Sequence, residues 1–185
     1  MPERVTICTV GHGNRTTEEI AAILREAGVR RIVDVRRFPA SRRNPHLSRE
    51  ALATALPPLG IEYLWHGDPL GGRRQRKGPS RHPAWRVPAF QAYADYMDTP
   101  SFRGALSVIE EMARRGPSLA LMCAETLWWR CHRRLISDAL EVDGFDVVHL
   151  LGSGRTQPHA LHPALRLDDQ RRPVYDKEVA PDLLE

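Results

Sequence analysis

Cysteine is scarce in this chain. Three residues, Cys8, Cys123 and Cys131, among 185 are too few and too scattered for a disulfide framework, and an odd number suits a reducing compartment. No apolar run approaches the ~18 residues of a membrane-spanning helix. The opening residues, Met1-Pro2-Glu3-Arg4, carry neither the apolar segment nor the cleavage site of a secretory signal, so the expected location is the cytoplasm. Acids are missing from two stretches. Arg36 to Arg49 holds five arginines, and Arg73 to Arg86 holds five arginines and one lysine, with no Asp or Glu in either. The net charge of +4 therefore understates a local excess that attracts phosphates or other anions, although both stretches also read as solvated loop. Arginine favours anion contact, because a guanidinium meets phosphate oxygens with two parallel hydrogen bonds. Repeats, linkers and low-complexity segments are absent too. One domain is expected over residues 1–185, with its core at about 5–152 and a polar tail, 153–185, packing on or near the site.

What is present is a regular alternation. Short apolar, β-branched runs at Val5–Val10, Arg31–Val35, Ile61–Trp65, Ser118–Cys123 and Phe145–Leu151 read as strands. Helices are expected from Thr16 or Thr17 to Ala27, from Arg49 to Leu56, from Phe90 to Met97, from Ser101 to Arg115 and from about Trp129 to Val142. An extended piece is expected at Pro173-Val174-Tyr175, and a long functional loop at 66–88. Strands alternating with helices predict a three-layer α/β domain, Rossmann-like, with a mostly parallel sheet of about five strands and helices on both faces. Ligands in such folds bind outside the carboxyl ends of the strands.

Those ends are chemically loaded. His12, Asn14 and Arg15 follow the first strand; Asp34, Arg36 and Arg37 close the second; His66 and Asp68 follow the third; Cys123, Glu125, Cys131, His132, Arg133 and Arg134 follow the fourth. One shared polar site is the expectation. Asp34 interrupts the apolar stretch Ile32-Val33-Asp34-Val35, where a carboxylate must be paired or neutralised. It is either a structural bridge to an arginine or a group that orients water. Glu125, at the mouth of the fourth strand, is either a capping or arginine-pairing residue or a partly desolvated general acid or base. His132-Arg133-Arg134 at a helix start offers an anion site. Cys123 and Cys131 are separated by seven residues, longer than the spacing of a zinc knuckle. They are expected to pack, with a metal or a nucleophilic thiolate as the alternatives.

Several stretches together carry a resemblance. Val10-Gly11-His12-Gly13-Asn14-Arg15-Thr16, then Val33-Asp34-Val35-Arg36-Arg37-Phe38-Pro39 with Ser41-Arg42-Arg43-Asn44-Pro45, then Leu70-Gly71-Gly72-Arg73, and finally Cys123-Ala124-Glu125 with Cys131-His132-Arg133 resemble, in this order, a bacterial family catalogued as domain of unknown function 488. The resemblance spans residues 5–170, and Trp128-Trp129 ahead of the second cysteine departs from it. It implies the α/β fold and marks the motif residues as the site.

The function expected is hydrolysis on nucleic acid, DNA in preference to RNA, by an enzyme that excises a modified or damaged base. Asp34, Glu125, His12 and His132 are the candidate catalytic groups, and Asn14, Arg15, Arg36, Arg37, Arg42, Arg43, Arg73, Arg74 and Arg133 the candidate binding groups. Phosphates would be gripped by the basic loops and a base flipped into the pocket, with no metal or other cofactor. The alternatives are a non-catalytic nucleic-acid or nucleotide-binding module, and a thiol- or metal-dependent enzyme using Cys123 and Cys131.

Overall fold

The computed structural model of the chain describes residues 4–40 and 42–178. Ser41 of the second motif and tail residues 179–185 lie outside the described residues. A six-stranded sheet forms the middle layer: β1 (Thr6–Gly11), β2 (Arg31–Asp34), β3 (Glu62–Trp65), β4 (Leu119–Cys123), β5 (Asp146–Gly152) and β6 (Arg155–Pro158), in the order β3-β2-β4-β1-β5-β6. The first five strands are parallel and β6 runs antiparallel to β5. This is a three-layer, Rossmann-like α/β fold. The helices are α1 (Thr17–Glu26), α2 (Arg49–Ala55), the single turn α3 (Gly67–Leu70), α4 (Pro88–Met97), α5 (Pro100–Arg115) and α6 (Arg133–Val142). Among the described residues no helix is long and apolar enough to cross a membrane.

Alternation along each strand divides the core in two. Cys8, Val10, Ile32, Ala120, Met122 and Leu150 face Ile20 and Leu24 of α1 and Leu52 of α2. Ile7, Val33, Leu121 and Val147 face Tyr93 of α4, Phe102 and Ile109 of α5 and Leu135 of α6. β4, buried at all five positions, lies in the middle, as its unbroken apolar run requires. Local chemistry sets the helix starts. Thr16 and Glu19 form a reciprocal capping box on α1, and Ser48 caps α2.

Two expectations are corrected. α6 starts at Arg133 rather than Trp129, because residues 128–130 form a separate 3-10 turn. Trp128 stacks on His149, with ring centroids 4.2 Å apart, and its Nε1 donates to Gln157, which holds this turn off the helix. The tail, expected to be polar apart from an extended piece at 173–175, has that strand and further structure besides. It adds β6 to the sheet and forms a two-stranded ribbon of β7 (Leu165–Leu167) and β8 (Pro173–Tyr175). β8 is buried throughout.

The site follows from the topology. β1 and β4 are neighbours, yet β1 leads into α1 on one face and β4 into α6 on the other, which opens a crevice at their carboxyl ends. The loops stay laced as they part. The amides of His12 and Gly13 donate to the carbonyls of Cys123 and Ala124, and that of Val35 to Met122, each at 2.9 Å. Gly11 permits the approach, since a Cβ there would lie 1.9 Å from the Glu125 carbonyl oxygen.

Candidate active site

Asp34 ends β2 fully buried. Its Oδ1 accepts from the backbone amide and Nε of Arg36 at 3.0 and 2.9 Å, and its Oδ2 from Arg36 Nη2 and the Tyr63 hydroxyl, each at 2.6 Å. Such complete satisfaction offsets the desolvation of a buried ion pair. Arg36 Nη1 donates to the Leu47 carbonyl at 2.9 Å and meets His12 Nε2 at 3.0 Å. The other ring nitrogen, Nδ1, lies 2.9 Å from the Gly13 carbonyl. The imidazole therefore donates through Nδ1 and accepts through Nε2. Burial and then the Arg36 charge push its pKa down to about 4. Burial and Asp34 push the Tyr63 hydroxyl well up.

The polar atoms of Asp34 and His12 are thus occupied within the protein. This geometry fits the bridging role weighed for Asp34 and leaves neither residue an atom for water or a leaving group. Arg36 knits β2, the loop after β1 and Leu47 together, and it lines the pocket only by an edge.

Cys123, at the end of β4, meets Cys131 and His132 at the start of α6. His132 Nδ1 lies 3.8 Å from Cys123 Sγ and 3.7 Å from Cys131 Sγ, while Nε2 donates to the Val35 carbonyl at 3.1 Å. Both thiols are buried and free. The hydrogen bond to Cys131 and burial push the Cys123 thiol well up. At Cys131 burial also acts upward, but it is outweighed by that hydrogen bond and by His132 and Arg133, which hold the thiol well below its usual range. The sequence separation that argued against a cluster is closed by the 3-10 turn at 128–130.

Arg133 is 1% exposed. It turns inward rather than toward a ligand, which corrects its expected anion-binding role. Nη2 donates to the Glu125 carbonyl at 2.5 Å and Nη1 to Thr9 Oγ1 at 3.2 Å. No acid pairs with it among the described residues, and its Nε has no partner. Thr9 Oγ1 lies 2.7 Å from His149 Nδ1, His149 Nε2 3.0 Å from His159 Nδ1, and His159 Nε2 2.9 Å from Asp138 Oδ1. Tyr175 donates to the other carboxylate oxygen at 2.9 Å. With a guanidinium that can only donate at one end and a carboxylate that can only accept at the other, the chain runs from Arg133 through Thr9, His149 and His159 to Asp138. Sequence reasoning missed this chain. Its one legible signal was His149 inside the apolar run Val147-Val148-His149-Leu150-Leu151.

The pocket above the thiols has a volume of about 200 Å³ and is lined by Arg36, Arg37, Phe38, Gly72, Arg73, Cys123, Ala124, Glu125 and His132. Glu125 is exposed, so of the two readings weighed for it the partly desolvated carboxyl does not hold: its backbone packs against Gly11 while its side chain stays in solvent. A second cavity of about 620 Å³ shares Arg37, Phe38 and Arg73 and adds Arg74, Lys77 and Tyr96. Phe38 is 60% exposed, and the guanidinium carbons of Arg37 and Arg73 lie 5.4 and 5.9 Å from its ring centroid. Arg37 also donates to the Arg73 carbonyl at 3.0 Å. Arg74 stacks on Tyr96 at 3.7 Å and donates to the carbonyls of Gly71 and Asp68.

The remaining predicted binding residues lie apart. Arg15 holds the carbonyls of Gly11 and Leu151. Asn14 accepts from Asn44. Arg42 and Arg43 are exposed on the loop and line neither cavity.

Residues 16–140 match a family model described as Domain of unknown function DUF488. The match takes in every motif of the resemblance except residues 10–15. No curated protein and no solved structure matches the chain.

Proposed function

The chain belongs to the family of Domain of unknown function DUF488, and from the site geometry we propose that it is a hydrolase acting on nucleic acid, DNA first. The observation that carries this reading is the Phe38 ring, exposed beside two guanidinium groups on the wall shared by both cavities. An aromatic face flanked by arginines stacks an unpaired base and takes the adjoining phosphates. Arg73, Arg74 and Lys77 continue the positive lining along the larger cavity, where backbone phosphates bind in a salt-sensitive way.

The chemistry proposed is excision of a flipped base. Glu125 is the predicted catalytic carboxylate that lines the pocket with its side chain exposed. Water adds to the anomeric carbon of the sugar and yields its proton to Glu125. The C–N bond electrons leave with the base, which takes up a proton. Asp34 and His12 support the pocket floor in this scheme rather than act on substrate. A second reading, thiol- or metal-dependent chemistry, is favoured by the cluster of Cys123, Cys131 and His132 in the same pocket.

Incubation with oligonucleotides carrying varied modified bases, scored for alkali-labile breaks, tests the proposal. Glu125→Gln is expected to abolish breaks and keep binding, whereas Arg73→Ala weakens binding. Binding without breaks on any substrate, at low salt and with metals supplied, would leave a non-catalytic module. Absence of binding would overturn both.

A further inference from the structure

We infer that Cys123, Cys131 and His132 form a site for one thiophilic divalent cation of the zinc class, with a coordination position left open toward the pocket. The inference does not depend on the substrate being nucleic acid. The three donor atoms lie within 4.8 Å of one another. In a tetrahedral zinc site, with Zn–S about 2.3 Å and Zn–N about 2.0–2.1 Å, the sulfur–nitrogen edge is about 3.6 Å. The two edges here are 3.8 and 3.7 Å. Closure around an ion thus needs movements of about a tenth or two of an ångström along those edges.

The orientation of the imidazole is that of a ligand. Its Nε2–H is spent on the Val35 carbonyl, which leaves the Nδ1 lone pair facing the sulfurs. Metal-bound histidines are held in this way, by a hydrogen bond from the far nitrogen to a carbonyl or carboxylate. The Arg133 amide lies 3.4 Å from Cys131 Sγ and supports a thiolate there. Gly72 keeps space over the ring, since a Cβ would lie 3.1 Å from His132 Nδ1. Two sulfurs and an imidazole select zinc over magnesium or calcium, which seek oxygen, and two thiolates balance the charge of the ion.

Three protein ligands and one open position are the pattern of catalytic rather than structural zinc. Cys123 and His132 line the pocket, and Glu125 lines it with them. A water in the fourth position would be acidified toward neutrality beside a carboxylate able to receive its proton.

The test is metal binding by the full chain, stripped with a chelator under reducing conditions and then titrated with Co²⁺ and with Zn²⁺. One equivalent of Co²⁺ is expected, with thiolate-to-cobalt charge-transfer absorption and the intense visible bands of a four-coordinate ion, displaced by Zn²⁺. Cys131→Ser and His132→Ala are each expected to lose that spectrum with unchanged far-ultraviolet circular dichroism. Should the variants fail to fold, the wild-type spectrum decides. Cys8 lies in the other half of the core, so a two-thiolate signature can come only from Cys123 and Cys131. The inference is overturned if the reduced protein takes up neither ion, or if the spectrum persists in the Cys123→Ser, Cys131→Ser double variant. Oligonucleotide turnover is read separately, so its failure leaves the metal result standing, and the reverse holds too.

Discussion

The imidazoles of His149 and His159 are hydrogen-bonded to each other, Nε2 to Nδ1 at 3.0 Å, midway between a buried guanidinium and a buried carboxylate. Among the described residues neither charge has a direct ionic partner other than an imidazole, so their compensation runs through this pair. Asp138 accepts from His159, from the His162 amide and from the Tyr175 hydroxyl. Asp138→Asn places an amide hydrogen against one of these donors and removes the charge. It is expected to cost about 2–4 kcal/mol, read from the midpoint of denaturant unfolding. Tyr175→Phe, which deletes one donor only, is expected to cost about 1–2 kcal/mol.

Acid should unfold this protein earlier than its carboxylate pairs alone would. Burial, reinforced by Arg36 at His12 and Arg134 at His162, pushes both imidazoles down to about 4, and burial with His159 and Arg133 pushes His149 to about 2. Below the ordinary histidine value of 6.5 the unfolded chain binds protons that the native state refuses, so stability falls as pH drops. Each histidine contributes up to about 1.4 kcal/mol per pH unit. Glu110 works the other way. Burial and Asp143 raise it to about 7, so its protonation adds stability as pH falls from there toward 4.5. Three groups outweigh one, and a net loss of about 2–4 kcal/mol between pH 7 and pH 5 is expected. Equilibrium unfolding at the two pH values measures it; equal stability would contradict neutral native imidazoles.

Gly11→Ala should damage the site from below. The added methyl would meet the Glu125 carbonyl oxygen at 1.9 Å and Thr126 Cα at 2.8 Å, both backbone atoms that no rotamer change relieves. A loss of at least about 2 kcal/mol is expected, checked by thermal unfolding. Cobalt uptake should weaken in parallel, because the loop after β4 must move.

Phe38→Ala should leave stability nearly untouched, since the ring is 60% exposed. Under the proposed function it removes one stacking platform, worth about 1–3 kcal/mol, or roughly 5- to 150-fold in oligonucleotide affinity. Phe38→Tyr should retain binding. Fluorescence anisotropy with a labelled single strand gives the comparison, and an unchanged Kd for the alanine variant would remove Phe38 from the interface.

The strand and helix order could be read from the chain because each parallel strand is an apolar run and α1, α2 and α5 carry their own caps. β6 could not, since Arg155-Thr156-Gln157-Pro158 is polar and becomes a strand only by pairing with the edge of β5. Asp34 announced itself as an acid in an apolar strand, but its role depends on Tyr63, 29 residues away, and no local pattern records that contact. His149 gave the same kind of signal. Cys123 and Cys131 looked too far apart to cooperate, because the stacking of Trp128 on His149 that folds the intervening loop back is a tertiary event. Arg133 was misread in direction: a helix start next to a crevice predicts a donor facing outward, whereas Thr9 and the Glu125 carbonyl draw it inward.

The chain of donors beneath the pocket has a practical bearing on where the polypeptide can be cut. Every motif residue of the pocket precedes the end of α6, so a fragment stopping there would keep all of the surface chemistry. It would nevertheless strand the Asp138 carboxylate in an apolar interior, since its donors His159, His162 and Tyr175 come later. The residues after α6 are therefore part of what holds the crevice in shape, and trimming them should yield a misfolded pocket rather than a minimal one.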